Sequence, residues 1–216
     1  MNFRIFLFAW VFFGICSRAY PQDEIVEIDF QVISMSGTLR SLVYENGDGQ
    51  RSPILAYETS RSFVYEYRGA PVLNLYEKDA VEEALPVASV DLAQAGKKNL
   101  MIVSEGSNGT YSVVLIRDDP DTHPLGSYRF FNTIGNLIAI SANEDRYMVE
   151  PWSSKVVQGF EPGSDDIRCR IRVAIHDNDS WEMLYTNTWI GSASERYLVI
   201  IEKNAEGRAI LKRIKG

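Results

Sequence analysis

The chain has 216 residues, a formal net charge of −7, two cysteines and two histidines. That charge argues against a nucleic-acid partner, because neutralising phosphates takes clustered Lys and Arg. Two histidines cannot build a three-His zinc site, and no His-x-x-x-His or close Cys pair begins another kind.

The first residues read as an export leader. Met1, Asn2, Phe3 and Arg4 form a short basic start, residues 5–16 an apolar run, and Ser17, Arg18 and Ala19 a small-x-small cleavage site. The run is about 12 residues and a membrane-spanning helix needs about 20, so no permanent membrane span is expected. Cleavage after Ala19 gives a signal peptide over 1–19 and a mature chain over 20–216, placed in the periplasm or outside the cell. Cys16 offers an alternative, a lipoprotein signal, although the β-branched Ile15 stands where such signals carry a small residue. A chain cut after Ala19 retains one cysteine, Cys169, so its core is expected to form without an intramolecular disulfide. The length allows that. Alternation of Cys169 with Ile167 and Ile171 predicts an inward thiol packed as a small hydrophobe.

Beyond the leader, period-two alternation recurs almost everywhere and helical spacing almost nowhere. Val26, Ile28, Phe30 and Val32 share one face of the first segment, with Glu27, Asp29 and Gln31 on the other. Residues 39–44 form a second strand, closed by Asn46-Gly47-Asp48-Gly49, which favours a tight turn, and the two are expected to pair. Residues 62–67 and 72–76 flank a turn at Arg68-Gly69-Ala70-Pro71. Residues 79–85 are the one candidate helical turn, with Ala80, Val81 and Ala84 at helical spacing, ending at Pro86. Strands follow at 87–92 and 99–104, where the continuous run Leu100-Met101-Ile102-Val103 predicts burial on both faces. Ser107-Asn108-Gly109 then carries a type I′ turn signal into 110–117.

Asp118-Asp119-Pro120-Asp121-Thr122-His123-Pro124 is a polar, proline-bracketed loop and the candidate internal boundary. Short strands follow at 126–132, 137–141, 146–150 and 155–158, then a loop at 159–165. The longest alternation places Ile167, Cys169, Ile171, Val173 and Ile175 inward and Arg168, Arg170, Arg172 and His176 outward. Strands at 181–190, 196–202 and 209–214 complete the chain. Lys212, Arg213 and Lys215 read as the solvent face of the last one. No repeat of fixed period stands out. The expected fold is all-β, an Ig-like antiparallel β-sandwich of about a dozen strands, read as one domain with 118–124 as the place where it would divide into two small sandwiches.

The chemistry-bearing clusters are few. Asp118, Asp119, Asp121 and His123 are the densest group of oxygen and nitrogen ligands, but they lack the glycine-punctuated spacing of a calcium loop, and a solvated turn is the expectation. His176 with Asp177 and Asp179 reads as turn chemistry at a strand end. No Gly-x-Ser-x-Gly elbow or βαβ unit supports a nucleophilic serine, and abundant acids alone do not indicate a paired-carboxylate glycosidase. No catalytic, cofactor or metal residues are assigned. Phe63, Tyr65 and Tyr67 share a strand face; Tyr111, Tyr128, Phe130, Trp152, Trp181, Tyr185 and Trp189 lie elsewhere. Exposed, such aromatics stack on sugars or proteins; buried, they are core, the expected state for most. Arg168, Arg170 and Arg172 form an outward ladder in an acidic protein, to be met by an anionic glycan, an acidic partner, or Glu and Asp on neighbouring strands. Sequons at Asn108 with Thr110 and Asn178 with Ser180 fall in predicted turns.

Tyr65-Glu66-Tyr67-Arg68-Gly69-Ala70-Pro71, Val87-Ala88-Ser89-Val90-Asp91-Leu92 and Gly126-Ser127-Tyr128-Arg129-Phe130-Phe131-Asn132 resemble segments of uncharacterised exported β-sandwich proteins of environmental bacteria. The resemblance implies a bacterial, exported sandwich, with no activity or site residues attached. The expected function is a non-catalytic envelope or extracellular module binding a protein or glycan through a sheet face or loop end. The competing expectation is a hydrolase or calcium-dependent module using the loop carboxylates.

Overall fold

A computed structural model describes residues 25–216 apart from 82, 107–108, 162–166 and 205. The leader, with Cys16, and the first sequon at Asn108 lie outside the described residues.

Alternating apolar residues become strands throughout, and the described residues hold no helix. The first half carries β1 (Val26–Ser34), β2 (Leu42–Glu45), β3 (Arg51–Pro53), β4 (Tyr65–Gly69), β5 (Val72–Glu77), β6 (Ala88–Asp91), β7 (Lys98–Glu105) and β8 (Tyr111–Arg117). The second carries β9 (Ser127–Asn132), β10 (Ile138–Ala142), β11 (Asp145–Val149), β12 (Ser154–Gln158), β13 (Arg168–Asp177), β14 (Ser180–Ile190), β15 (Tyr197–Lys203) and β16 (Ala209–Lys215). The all-β expectation therefore holds, with sixteen strands among the described residues rather than about a dozen. β3 escapes the sequence pattern because it is three residues long and ends in proline, with no alternation to read. The described residues of the 79–85 stretch hold isolated turn bonds and no helix, with Ala80 and Ala84 N–H donating to Glu77 and Val81 carbonyls.

The strands form four four-stranded sheets. In the first half the orders are β4-β1-β7-β8 and β3-β2-β5-β6; in the second, β12-β9-β15-β16 and β11-β10-β13-β14. The two halves share one pairing plan, strand for strand. Asp29 lies opposite Lys98 and Tyr128 opposite Tyr197, the same span of chain in each half. This is a structural repeat that the sequence does not display, because what repeats is pairing order and not residue identity.

Three apolar layers hold the stack together. Phe30, Val32, Leu42, Tyr44, Leu73, Leu75 and Met101 fill the first sandwich; Tyr128, Phe130, Ile138, Ile140, Cys169, Ile171 and Val199 fill the second. Between them Ile33, Leu100 and Ile102 meet Phe131, Leu198 and Ile200. β7 therefore buries Met101 and Val103 on one face and Leu100 and Ile102 on the other, which explains its unbroken apolar run. β1/β7 and β9/β15 pair in parallel while ten other pairings are antiparallel, a distinction alternation cannot reveal. These parallel strands occupy the doubly covered sheets, as parallel strands usually do.

Candidate functional site

The outer face of the β11-β10-β13-β14 sheet is built by the alternation of β13. Cys169, Ile171, Val173 and Ile175 point into the second core, which sends Arg170, Arg172, Ala174 and His176 the other way. Ile167 is not part of that inward set: it precedes the strand and is largely exposed. Pairing register then decides the neighbours. Arg172 sits between Ser141 of β10 and Thr186 of β14; Ala174 lies between Ala139 and Met183; Thr188 flanks Arg170 and Trp181 flanks His176. On β11, Arg146 lies opposite Ser141 and Met148 opposite Ala139.

The result is a groove of about 660 Å³. Ala139, Ser141 and Ala174 make a shallow floor. Met148, Met183 and Trp181 rise around it, each roughly half exposed. Trp181 leans on the His176 ring at 5.0 Å between centroids, which orients the indole. At the other end Asn143, in a left-handed turn (φ 53), is stitched to β13: its N–H donates to the Arg170 carbonyl and its Oδ1 accepts from the Arg170 N–H. Arg146, Arg170 and Arg172 line this groove, with Glu144 as the acid in its lining.

Charge pairing is where the structure departs from the ordinary expectation for such a ladder. The cross-strand neighbours of Arg170 and Arg172 are Thr188, Thr186 and Ser141, none of them acidic. Among the described residues, no carboxylate lies within 4.0 Å of Arg146, Arg170 or Arg172. Three cations thus share the lining of one groove. Their positive field is carried by a protein whose formal charge is −7.

The basic residues of the last strand are occupied. Lys212 pairs with Glu58 and Glu202, Lys215 with Glu195, and Arg213 stacks over the Trp189 and Tyr197 rings at 5.3 and 5.0 Å. Tyr65 and Tyr67 belong to the first core with Phe30 and Tyr44, and Tyr128, Phe130 and Trp189 to the second. Phe63, Trp152 and Trp181 are the exposed members of the aromatic set. His176, Asp177 and Asp179 frame the β13–β14 hairpin turn, where Asn178 and Asp179 adopt left-handed φ of 45° and 61°. Asp177 accepts there from the side chains of Asn136 and Asn178.

The 118–124 loop is not the solvated turn its composition suggests. Asp118 is 3% exposed and His123 fully buried. Asp118 Oδ2 accepts from Arg61 Nη1 at 2.5 Å and faces Arg196 Nη2 at 3.1 Å, while Oδ1 accepts a hydrogen bond from the His123 Nδ1–H at 2.8 Å. Arg196 also donates to the backbone carbonyls of Asp118 and His123, and Arg129 to that of Thr122. Burial pushes the Asp118 carboxyl upward, but the His123 and Arg61 hydrogen bonds and the Arg61 and Arg196 charges outweigh it and hold it well below the usual carboxylate range. Burial pushes the His123 imidazole down despite its Asp118 partner. Asp119 caps the Lys98 N–H and, with the exposed Asp121, faces Arg117 at 3.6 and 3.7 Å. The loop residues are therefore structural partners, joining the segment before β4, β9 and the approach to β15 at the junction of the two halves.

A second concavity of about 760 Å³ lies beside β1 and β4. Asp29 and Glu66 are direct cross-strand neighbours there, but Arg68, paired with Glu27 at 3.0 Å, and Lys97 line the same space. No protein-family model matches the chain, and no curated protein matches it in sequence.

Proposed function

We propose that this chain is an exported, non-catalytic binding module of a bacterial envelope or the extracellular space, whose ligand, a protein or glycan, carries anionic groups and lies on the outer face of the β11-β10-β13-β14 sheet. The observation that carries the reading is the trio Arg146, Arg170 and Arg172 on one open groove without a carboxylate partner among the described residues. Arginine suits this role: its guanidinium presents a planar fork that matches carboxylates and sulfates. Trp181, Met148 and Met183 supply apolar contact area next to those forks.

The competing use of the loop carboxylates is poorly supported physically. A calcium ion asks for six to eight oxygens, and both Asp118 oxygens already face Arg61, Arg196 and His123. At Asp29 and Glu66 the two cross-strand acids share their space with Arg68 and Lys97, a mixed-charge rim and not an isolated carboxylate pair. The test is a glycan array and a pull-down with the mature protein, run beside Arg170→Glu/Arg172→Glu. Hits should be anionic, weaken as salt rises, and lose at least about tenfold in affinity in the variant. Hits that are neutral, or that bind the variant equally well, overturn the assignment.

A further inference from the structure

The edge beside this groove says more about the ligand. β14 runs for eleven residues at the border of its sheet. Its topological counterpart β6 has four. Gly191 N–H donates to the Ile167 carbonyl, which fixes the phase of the β13–β14 ladder: with the register Cys169↔Trp189 and Ile171↔Asn187, residues 185, 187 and 189 turn their backbone groups toward β13. Thr186, Thr188 and Ile190 therefore turn theirs outward. The Thr188 N–H confirms the phase, since it is held by the neighbouring Asn187 Oδ1 at 2.8 Å instead of by β13. Among the described residues no other backbone strand meets this edge. The usual protections are thin: β14 contains no Lys and no Pro, and Glu182 is its one charge.

Resting on the groove reading above, we propose that the anionic partner is an extended acidic polypeptide segment that adds to β14 as a fifth strand. Strand addition satisfies the outward N–H groups of Thr186 and Ile190 and the outward carbonyls, the Thr188 N–H being already held by Asn187, and a sugar chain does not match their spacing. The side chains fit the same geometry. Thr186 and Thr188 are the short residues between Arg172 and Arg170 and the open edge, so acids two residues apart on the added strand lie two strand spacings, about 10 Å, from those arginine backbones, within reach of extended guanidinium and carboxylate side chains leaning toward each other. At the other end Trp181 and Met183 offer an apolar seat. The implied recognition pattern is acid-x-acid followed by an apolar residue on the same face.

The probes are short blocked peptides with alternating glutamate and valine, a scrambled set with the glutamates in one block, and a sulfated oligosaccharide. Calorimetry gives affinity, and residue-resolved amide exchange gives location. The alternating peptide should bind at least about tenfold more tightly than the block peptide and slow exchange at Thr186 and Ile190. Thr186→Pro, which removes an outward N–H without touching the β13 ladder, should lose that binding while melting like the parent; if it does not fold, exchange protection in the parent decides. Binding lost in Arg170→Glu/Arg172→Glu but kept in Thr186→Pro, or a tighter sulfated oligosaccharide with unprotected β14 amides, retains the anionic groove and overturns strand addition. No binding of any probe overturns both. A dimer by light scattering with β14 protected before any probe is added assigns the edge to a second copy and overturns the peptide.

Discussion

The two halves share one strand plan and finish their outer faces in opposite ways. On the first, the outer face of β5 and β2 is closed: Tyr76 and Val43 are buried, and Arg51 lies over the Tyr76 ring at 4.1 Å, pairs with Glu45 at 3.1 Å and donates to the Ala80 and Val81 carbonyls of the covering loop. On the second, the same sheet position carries Arg146, Arg170 and Arg172 over a floor of alanine and serine, and among the described residues no carboxylate pairs with them and no loop closes the face. One outer face pairs its arginine internally; the other presents three.

The largest expected effects come from what the halves share. Phe30 and Phe130 are both fully buried, one in each sandwich core, and each →Ala change should cost about 3–5 kcal/mol. Because Leu100, Ile102, Leu198 and Ile200 weld the halves through the central layer, both variants should lower one common denaturant transition. Two separated transitions, each sensitive to one variant, would show the halves to be independent. Asp118→Ala should be about as costly, on the order of 3–5 kcal/mol, since it leaves Arg61 facing no anion in a buried site. The denaturation midpoint measures it.

A smaller effect follows from pH. His123 is buried with its folded-state value lowered, so below about pH 6.5 the unfolded chain takes a proton that the folded chain refuses, and stability falls. Asp118, also lowered, holds its full contribution above about pH 4 and loses it only below that. Acid destabilisation should thus begin near pH 6.5 in the parent and nearer pH 4 in His123→Gln, read from denaturant midpoints across the range. The smallest effects compare the faces themselves. Arg51→Ala should cost about 1 kcal/mol through its lost stacking and pairing, whereas Arg170→Ala and Arg172→Ala should stay within about 0.5 kcal/mol. A large loss in the latter two would make the ladder structural.

Much of this was legible in the sequence. The alternation of β13 gave the inward Cys169 and the outward Arg170 and Arg172, and the apolar run at Leu100 gave a doubly buried strand. What stayed hidden depends on register. That Thr186, Thr188 and Ser141, and not acids, would flank the arginines is set by pairings that local pattern cannot supply. Asp118 and His123 read as solvated because polar, proline-bracketed loops usually are; they are buried because Arg61 and Arg196 arrive from 57 and 78 residues away to satisfy them. The parallel pairings and the repeated plan are likewise properties of strand order, to which alternation is blind.

The measurement that bears most directly on the open face is amide shift mapping by NMR as acidic peptide or sulfated oligosaccharide is added at low salt. Shifts confined to β10, β11, β13 and β14, and abolished by Arg170→Glu/Arg172→Glu, are the expected result. Shifts centred on the first half, or unchanged in that variant, would contradict it.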